Sequence, residues 1–301
     1  MVDVLFEDTI PGNAPPDKQV HVFDFDDTLG VTKNANGVML YKDGKPAHKS
    51  EAEVKQWLTS LGIPASEILD PGVKPIKERE NGMAVYLSSS GLAKVQKAFP
   101  SDKQGVTTGY ADKVNQPGET ILIDFTPSSG TDADNTVPIP STINKMKKAN
   151  AQGSDTIVIT ARKATGTGID FHGEPVEATN STDMEQFLTK QGAKPSDGVM
   201  GVTGQNKGHA IINKYITSDD APEEVHFYDD LEKNTVEVEK AVAEQVPSEL
   251  YIYGPGEFIH DKANPEKPNK AFPPKTKKNE GRETAEQKLL ERWNRLAGLT
   301  K

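Results

Sequence analysis

The chain has 301 residues, 34% of them hydrophobic, with no cysteine and a net charge of −10 from 45 Asp and Glu against 35 Lys and Arg. The missing cysteine excludes disulfides, thiolate metal sites and a cysteine nucleophile, and the acidic balance argues against a whole surface given over to nucleic acid. No run approaches the roughly 20 apolar residues that span a bilayer, and the first residues lack a basic stretch followed by an apolar block, so a soluble, intracellular protein is expected.

Residues 1–18, with Pro11, Pro15 and Pro16, read as an irregular N-terminal arm. His21 to Phe25 reads as the first core strand, and the stretch Val22-Phe23-Asp24-Phe25-Asp26-Asp27-Thr28-Leu29 breaks from apolar residues into three carboxylates. Burying carboxylates at a strand end is costly without a cation or proton to compensate. Asp24 and Asp26 lie two apart, so an extended backbone puts them on one face and a loop past the strand aims both at one ligand, an arrangement suited to a hard cation such as Mg²⁺. The structural alternative is an acidic turn that caps a strand. Further on, Gly37 to Tyr41 with the Lys42-Asp43-Gly44-Lys45 turn predicts a β-hairpin. Ser50 to Leu61 predicts a helix capped by Ser50 and stopped by Gly62 and Pro64. Met83 to Leu87 and Thr120 to Phe125 read as short strands among Gly-, Ser- and Asp-rich stretches. Residues 31–137 together read as an inserted, cap-like subdomain of mixed α+β character, nearer to a small antiparallel element than to a helical cap.

From Pro138 the pattern is regular. A helix capped by Ser141 carries Ile143, Met146 and Ala149 or Asn150 on one face and stops at Gly153, and the apolar strand Thr156 to Thr160 follows. Next come a helix from Ser181 to Gln191, a strand from Val199 to Val202, and a helix opened by Lys207 that carries Ala210, Ile211 and Tyr215. The strand Val225 to Tyr228 ends in Asp229-Asp230, and a helix from Leu231 to Gln245 precedes the strand Leu250 to Tyr253. Alternation at this spacing predicts an α/β, doubly wound parallel sheet of Rossmann-like form, built from residues 19–30 and 138–255. Residues 256–283, rich in Pro, Lys and Asn, read as a flexible linker. Residues 284–301 read as a C-terminal amphipathic helix, with Thr284 and Gln287 as a capping box and Leu289, Leu290, Trp293, Leu296 and Ala297 as an apolar stripe. That stripe docks either on its own core or in a groove on a partner protein. The tail is also a separate electrostatic object: residues 261–301 hold 11 Lys and Arg against 6 Asp and Glu, where residues 1–260 hold 24 against 39.

Ligands of an open α/β sheet bind beyond the carboxyl ends of its strands. Three of the predicted strands end there in polar groups: Asp24 and Asp26, Thr160, and Asp229 with Asp230; Lys207 adds a cation. A carboxylate nucleophile, a second carboxylate as acid and base, a hydroxyl and an ammonium on phosphate oxygens, and an acidic metal cluster together make a phosphoryl-transfer site. Each residue also has a structural reading: Thr160 as a strand-ending turn former, Lys207 as a surface lysine, and Asp229-Asp230 as a cap for the next helix. Arg162 and Lys163 either contact a substrate phosphate or are solvated. Gly166-Thr167-Gly168 does not make a phosphate loop, the six histidines lack zinc-type spacing, and His209 is a minor candidate for a substrate contact. Asn180-Ser181-Thr182 is a formal glycosylation signal that carries little meaning without a secretory leader.

Taken in order, Asp24-Phe25-Asp26-Asp27-Thr28, Ile157-Val158-Ile159-Thr160, Lys207 and Phe227-Tyr228-Asp229-Asp230 resemble the four motifs of the haloacid dehalogenase (HAD) superfamily. The resemblance covers residues 19–30 and 138–253 and leaves the insertion and both tails outside. It implies that Asp24 is a nucleophile forming an aspartyl-phosphate, that Asp26 protonates the leaving group and then activates water, that Thr160 bonds a phosphate oxygen, and that Lys207 neutralises nucleophile and phosphate. It implies Mg²⁺ held by Asp24, the carbonyl of Asp26 and Asp229, with Asp230 acting through water. Thr28, Arg162 and Lys163 are the candidate substrate contacts. Asn234, one turn on, either orients the acidic pair or faces solvent. An Asp at position 26 is similar to the phosphatases of the superfamily rather than the dehalogenases. Val38 to Ala47, Thr160-Ala161-Arg162, the run Tyr228 to Asn234 and the terminal Trp293 to Leu299 look, more narrowly, like HAD-type phosphatases encoded by tailed bacteriophages. The implied activity is Mg²⁺-dependent hydrolysis of a phosphate monoester, on a nucleotide or a nucleic-acid end, in the cytoplasm of a bacterium or phage-infected host and with no membrane partner. The competing expectation is a virion- or assembly-associated binding protein that keeps the fold and docks through its C-terminal helix.

Overall fold

The computed structural model describes residues 18–100, 106–111, 118–203, 205–217, 221–243, 249–254 and 269–272. The expected C-terminal amphipathic helix, nearly all of the N-terminal arm and most of the expected linker lie outside the described residues. The strands in chain order are β1 (Gln19–Phe23), β2 (Gly30–Val31), β3 (Asn36–Lys42), β4 (Lys45–Pro46), β5 (Ile68–Ile76), β6 (Gly82–Leu87), β7 (Val106–Tyr110) and β8 (Glu119–Asp124). They continue with β9 (Val137–Pro138), β10 (Asp155–Thr160), β11 (Thr167–Ile169), β12 (Pro175–Glu177), β13 (Val199–Gly201), β14 (Glu224–Tyr228), β15 (Glu249–Tyr253) and β16 (Lys270–Phe272). The α-helices are α1 (Glu51–Ser60), α2 (Ser89–Ala98), α3 (Pro140–Ala151), α4 (Asn180–Lys190), α5 (Lys207–Ile211) and α6 (Glu232–Val242).

The main sheet runs β13-β10-β1-β14-β15-β16. Its first five strands are parallel and β16 is antiparallel to β15. Side chains alternate along these strands. Val20, Val22, Phe227 and Ile252 meet Ile211, Val238 and Val242 of α5 and α6 on one face; Phe23, Val158, Tyr228 and Tyr253 meet Ile143, Met146, Met184 and Phe187 of α3 and α4 on the other. The protein is therefore an α/β structure with helices on both faces of a mostly parallel sheet. Two local expectations are corrected. Helix α3 starts at Pro140, with Ile139 at the cap position and no side-chain cap bond, so Ser141 lies inside the helix; a proline in the first turn already has the required φ and lacks only an N–H with no helical partner. Residues 270–272, expected within a flexible linker, form the edge strand β16, because Phe272 breaks the polar run and packs on the core.

Between β2 and β9, which pair antiparallel where the chain leaves and rejoins the core, lies a second sheet of order β5-β6-β3-β8-β7 with β4 on β3. It is antiparallel except at the β7–β8 pair. Helices α1 and α2 cover it through Val54, Leu58, Leu92 and Val95. This is a mixed insertion of strands and helices, and α2 has no counterpart in the expectations above. Its returning limb is fastened to the core by Asn180, which is fully buried. Asn180 Nδ2 donates to the Ser128 carbonyl at 2.7 Å and the Lys163 carbonyl at 2.9 Å, and its Oδ1 accepts from Thr131 Oγ1 at 2.8 Å.

Candidate functional site

The order of the parallel strands means that the winding reverses beside β1, so the crevice past the carboxyl ends of β1 and β14 is where such a sheet accommodates a ligand. Asp24 and Asp229 are the first residues beyond these two adjacent strands. Their backbones prolong the ladder: Asp24 N–H donates to the Tyr228 carbonyl at 2.8 Å and Asp229 N–H to the Tyr253 carbonyl at 3.1 Å. With the main chain satisfied, the two carboxylates stand side by side. After Asp24 the chain makes one tight turn, in which the Phe25 carbonyl accepts from Leu29 N–H at 2.9 Å and Gly30 N–H at 3.0 Å. That turn carries Asp26 and Thr28.

Lys207 is the first residue of α5, whose cap is Asn206, accepting from Gly208 N–H at 2.7 Å. A Cβ on Gly208 would stand 2.6 Å from the Ala241 Cβ, so only glycine lets α5 come this close to α6. The approach delivers a lysine that is 4% exposed, with Nζ 2.8 Å from Asp24 Oδ1 and 2.7 Å from Asp229 Oδ2. It is not a surface lysine. Asn234 of α6 donates Nδ2 to both Asp229 oxygens at 3.0 Å, and Leu231 N–H reaches Asp229 Oδ1 at 2.9 Å. Asp230 is tied to Thr28, whose Oγ1 accepts its N–H at 3.1 Å. Thr28 is fully buried and its hydroxyl faces Asp230.

Burial holds the Asp24 carboxyl well above the usual carboxylate range, opposed by Lys207 and reinforced by Asp229, Asp26 and Asp230. Burial, with Asp229 and Asp27 adding to it, pushes Asp230 up to about 7. Burial works to lower the pKa of Lys207, but Asp24 and Asp229 together outweigh it and leave the ammonium above its ordinary value. Asp24, Asp229 and Asp230 bring ligand oxygens within 4.8 Å of one another. One ammonium cannot neutralise two buried carboxylates and the half-buried Asp230 beside them, and an all-oxygen donor set suits a hard divalent cation, so the residues present fit a metal of that class.

The side chain of Asp26 points elsewhere. Arg162 Nε donates to Asp26 Oδ2 at 2.7 Å and Nη2 bonds Asp26 Oδ1, a bidentate pair. Thr32 Oγ1 donates to Asp26 Oδ1 at 2.8 Å and accepts from Arg162 Nη2 at 2.6 Å. Arg162 is therefore neither solvated nor free for a substrate with these two nitrogens; its Nη1 is buried without a hydrogen-bond partner. Thr160 ends β10, fully buried, and its hydroxyl accepts from Arg162 N–H at 3.2 Å. Lys163 turns toward β11 and bonds the Thr167 carbonyl, and His209 is exposed on α5. Thr32 is the residue that sequence reasoning missed. Nothing in its neighbourhood marks it, because its partners meet only in space.

Residues 138–252 match the model of a family described as protein of unknown function (DUF2608). No curated protein and no solved structure gives a match. The matched stretch holds Thr160, Arg162, Lys207, Asp229 and Asp230 and stops short of Asp24 and Asp26. Among the described residues, no helix is long and apolar enough to cross a membrane.

Proposed function

We propose that the protein is a Mg²⁺-dependent phosphohydrolase of the HAD type that cleaves phosphate monoesters through an aspartyl-phosphate. The observation that carries this reading is the buried ammonium of Lys207 held between Asp24 and Asp229, at 2.8 Å and 2.7 Å, beside the reversal point of the sheet. In this reading a carboxylate oxygen of Asp24 attacks phosphorus while the bond to the leaving oxygen breaks, and Asp26 gives that oxygen its proton. Asp26 then takes a proton from water, whose oxygen attacks the same phosphorus; the bond to Asp24 breaks and inorganic phosphate leaves. Lys207 and Thr160 hold phosphoryl oxygens throughout. Mg²⁺, held by Asp24, the Asp26 carbonyl and Asp229 with Asp230 beside them, supplies positive charge to the phosphoryl group when bound. The acidic chain favours a nucleotide-sized ester over long duplex contacts.

Phosphate release from mononucleotides, sugar phosphates and 3′- or 5′-phosphorylated oligonucleotides, with and without Mg²⁺, tests this. The expected result is metal-dependent turnover that falls by about a thousandfold or more in Asp24→Asn. A folded, Mg²⁺-binding protein with no turnover across the panel would make it a binding or structural protein.

A further inference from the structure

Of the carboxylates on the loops past β1 and β14, Asp24, Asp26, Asp27, Asp229 and Asp230, three converge. Asp24, Asp229 and Asp230 form the trio, whereas Asp26, on the same turn as Asp24, is drawn off by Arg162 and Thr32. This separation is built, not incidental. The side chain of Arg162 is 9% exposed and that of Asp26 23% exposed, so the pair is shielded from the solvent that weakens surface ion pairs. The turn that carries Arg162 is pinned from two sides. Its N–H rests on Thr160 Oγ1 at 3.2 Å. On the other side the backbone of Gly201 in β13 packs so closely that a Cβ there would lie 2.4 Å from both the Arg162 carbonyl oxygen and Ala164 N. A carboxylate two residues from a cation ligand is pulled toward that cation, and one bound there is turned away from the leaving oxygen. The guanidinium supplies the competing attraction with two parallel hydrogen bonds, a geometry an ammonium cannot reproduce.

Resting on the phosphohydrolase reading, we propose that Arg162 is a positioning residue: with Thr32 it holds the Asp26 carboxylate outside the cation-binding trio and reserves it for proton transfer to the leaving group. Arg162 thus acts through Asp26 and not as a substrate contact.

The test compares wild type with Arg162→Ala, Arg162→Lys and Thr32→Val on phosphate monoesters whose leaving groups range from nitrophenol to simple alcohols, with Mg²⁺ affinity measured in parallel by calorimetry. Arg162→Ala should lower kcat by about a hundredfold on alkyl esters, the lower range of what a general acid contributes, while KM stays within about threefold. The nitrophenyl ester, whose leaving group departs without a proton, should keep its first-turnover release of nitrophenol nearly unaffected, while the later release of phosphate, which still needs Asp26 to take a proton from water, slows. Arg162→Lys should show a milder loss, and Thr32→Val a smaller loss with the same dependence on leaving group. A raised KM with kcat and leaving-group dependence unchanged would overturn the proposal and make Arg162 a substrate contact. Should Arg162→Ala fail to fold, as judged by circular dichroism, the other two variants carry the same comparison. If wild type turns over none of the esters, the phosphohydrolase reading is what fails, and calorimetry decides the positioning of Asp26 separately. Release of Asp26 toward the trio should then tighten Mg²⁺ binding by about threefold or more in Arg162→Ala, and unchanged affinity would refute it.

Discussion

Asp229 is wholly buried and receives hydrogen bonds from Lys207, Asn234 and the Leu231 N–H. Such a group is stable only with its partners in place. Replacing Lys207 by Met should destabilise the fold by about 3–5 kcal/mol, the cost of leaving buried charge uncompensated, and the drop in urea midpoint should be smaller in Mg²⁺ than in chelator, since a cation that binds only the folded state stabilises it. Asn234→Ala should leave the fold intact and weaken Mg²⁺ binding about tenfold, the usual effect of losing a group that orients a ligand; unchanged affinity in calorimetry would show that Asn234 does not orient the site. At this scale the sequence was legible where chemistry interrupts a pattern. Carboxylates at Asp24 and Asp229 end apolar strands, and a lysine opens a helix. For Arg162 the sequence offers a substrate contact or a solvated side chain but not its pairing with Asp26, and Thr32 carries no signal at all, because an ion pair between distant segments leaves no trace in either one.

Elements deliver these residues through backbone fit. Gly208→Ala puts a methyl against Ala241 and Val238, which should push α5 off α6 at a cost of about 1–3 kcal/mol. Lys207 would move with it, so phosphate release should fall by more than the loss of folded protein explains. A control within the insertion is Ser50→Ala. Ser50 caps α1 in a box with Glu53, so its loss should lower stability by about 1 kcal/mol and leave turnover unchanged. The long β–α alternation of the core was readable because each buried strand is an apolar run bounded by turn residues, as in Asp155–Thr160 and Glu224–Tyr228. The insertion was harder. β5 carries Pro71, Gly72 and Pro75, which read as punctuation, and α2 opens Ser-Ser-Gly, a poor helix signal that tertiary packing of Leu92 and Val95 overrides. The hairpin β11–β12 is three residues a side, too short for alternation to register.

Across the whole molecule, one face of the main sheet carries a stacked polar row, with the rings of His21 and His226 4.3 Å apart and His226 and Tyr251 4.7 Å apart. Burial lowers His21 to about 3, with His226 and Lys145 adding to it, and burial and Lys145 lower His226 to about 4. Both rings are neutral in the fold at pH values where the unfolded chain is protonated. Their contribution is therefore intact above the unfolded value near 6.5 and is lost as pH falls from there toward 4 and 3, by up to about 1.4 kcal/mol per pH unit for each ring. Glu224, raised by burial and Glu249, works in the opposite sense, as do Asp24 and Asp230 in the site. Relative to wild type, His226→Phe should therefore raise the urea midpoint at pH 5 against that at pH 7; an unchanged difference between the two pH values would remove the histidine row as an acid-sensitive element. The strand that bears His21 also sets the order of events during synthesis. β1 is central, yet Val20 pairs with Asp155 on one side and Val225 on the other. The described strands of the insertion all come from residues 36–124, so its sheet can pair, short of the Phe171 that completes one of its core clusters, while β1 still waits for neighbours not yet translated. Until the ribosome has released both, the newborn chain presents two unpaired strand edges beside Asp24, and its dependence on chaperones should be greatest in that interval.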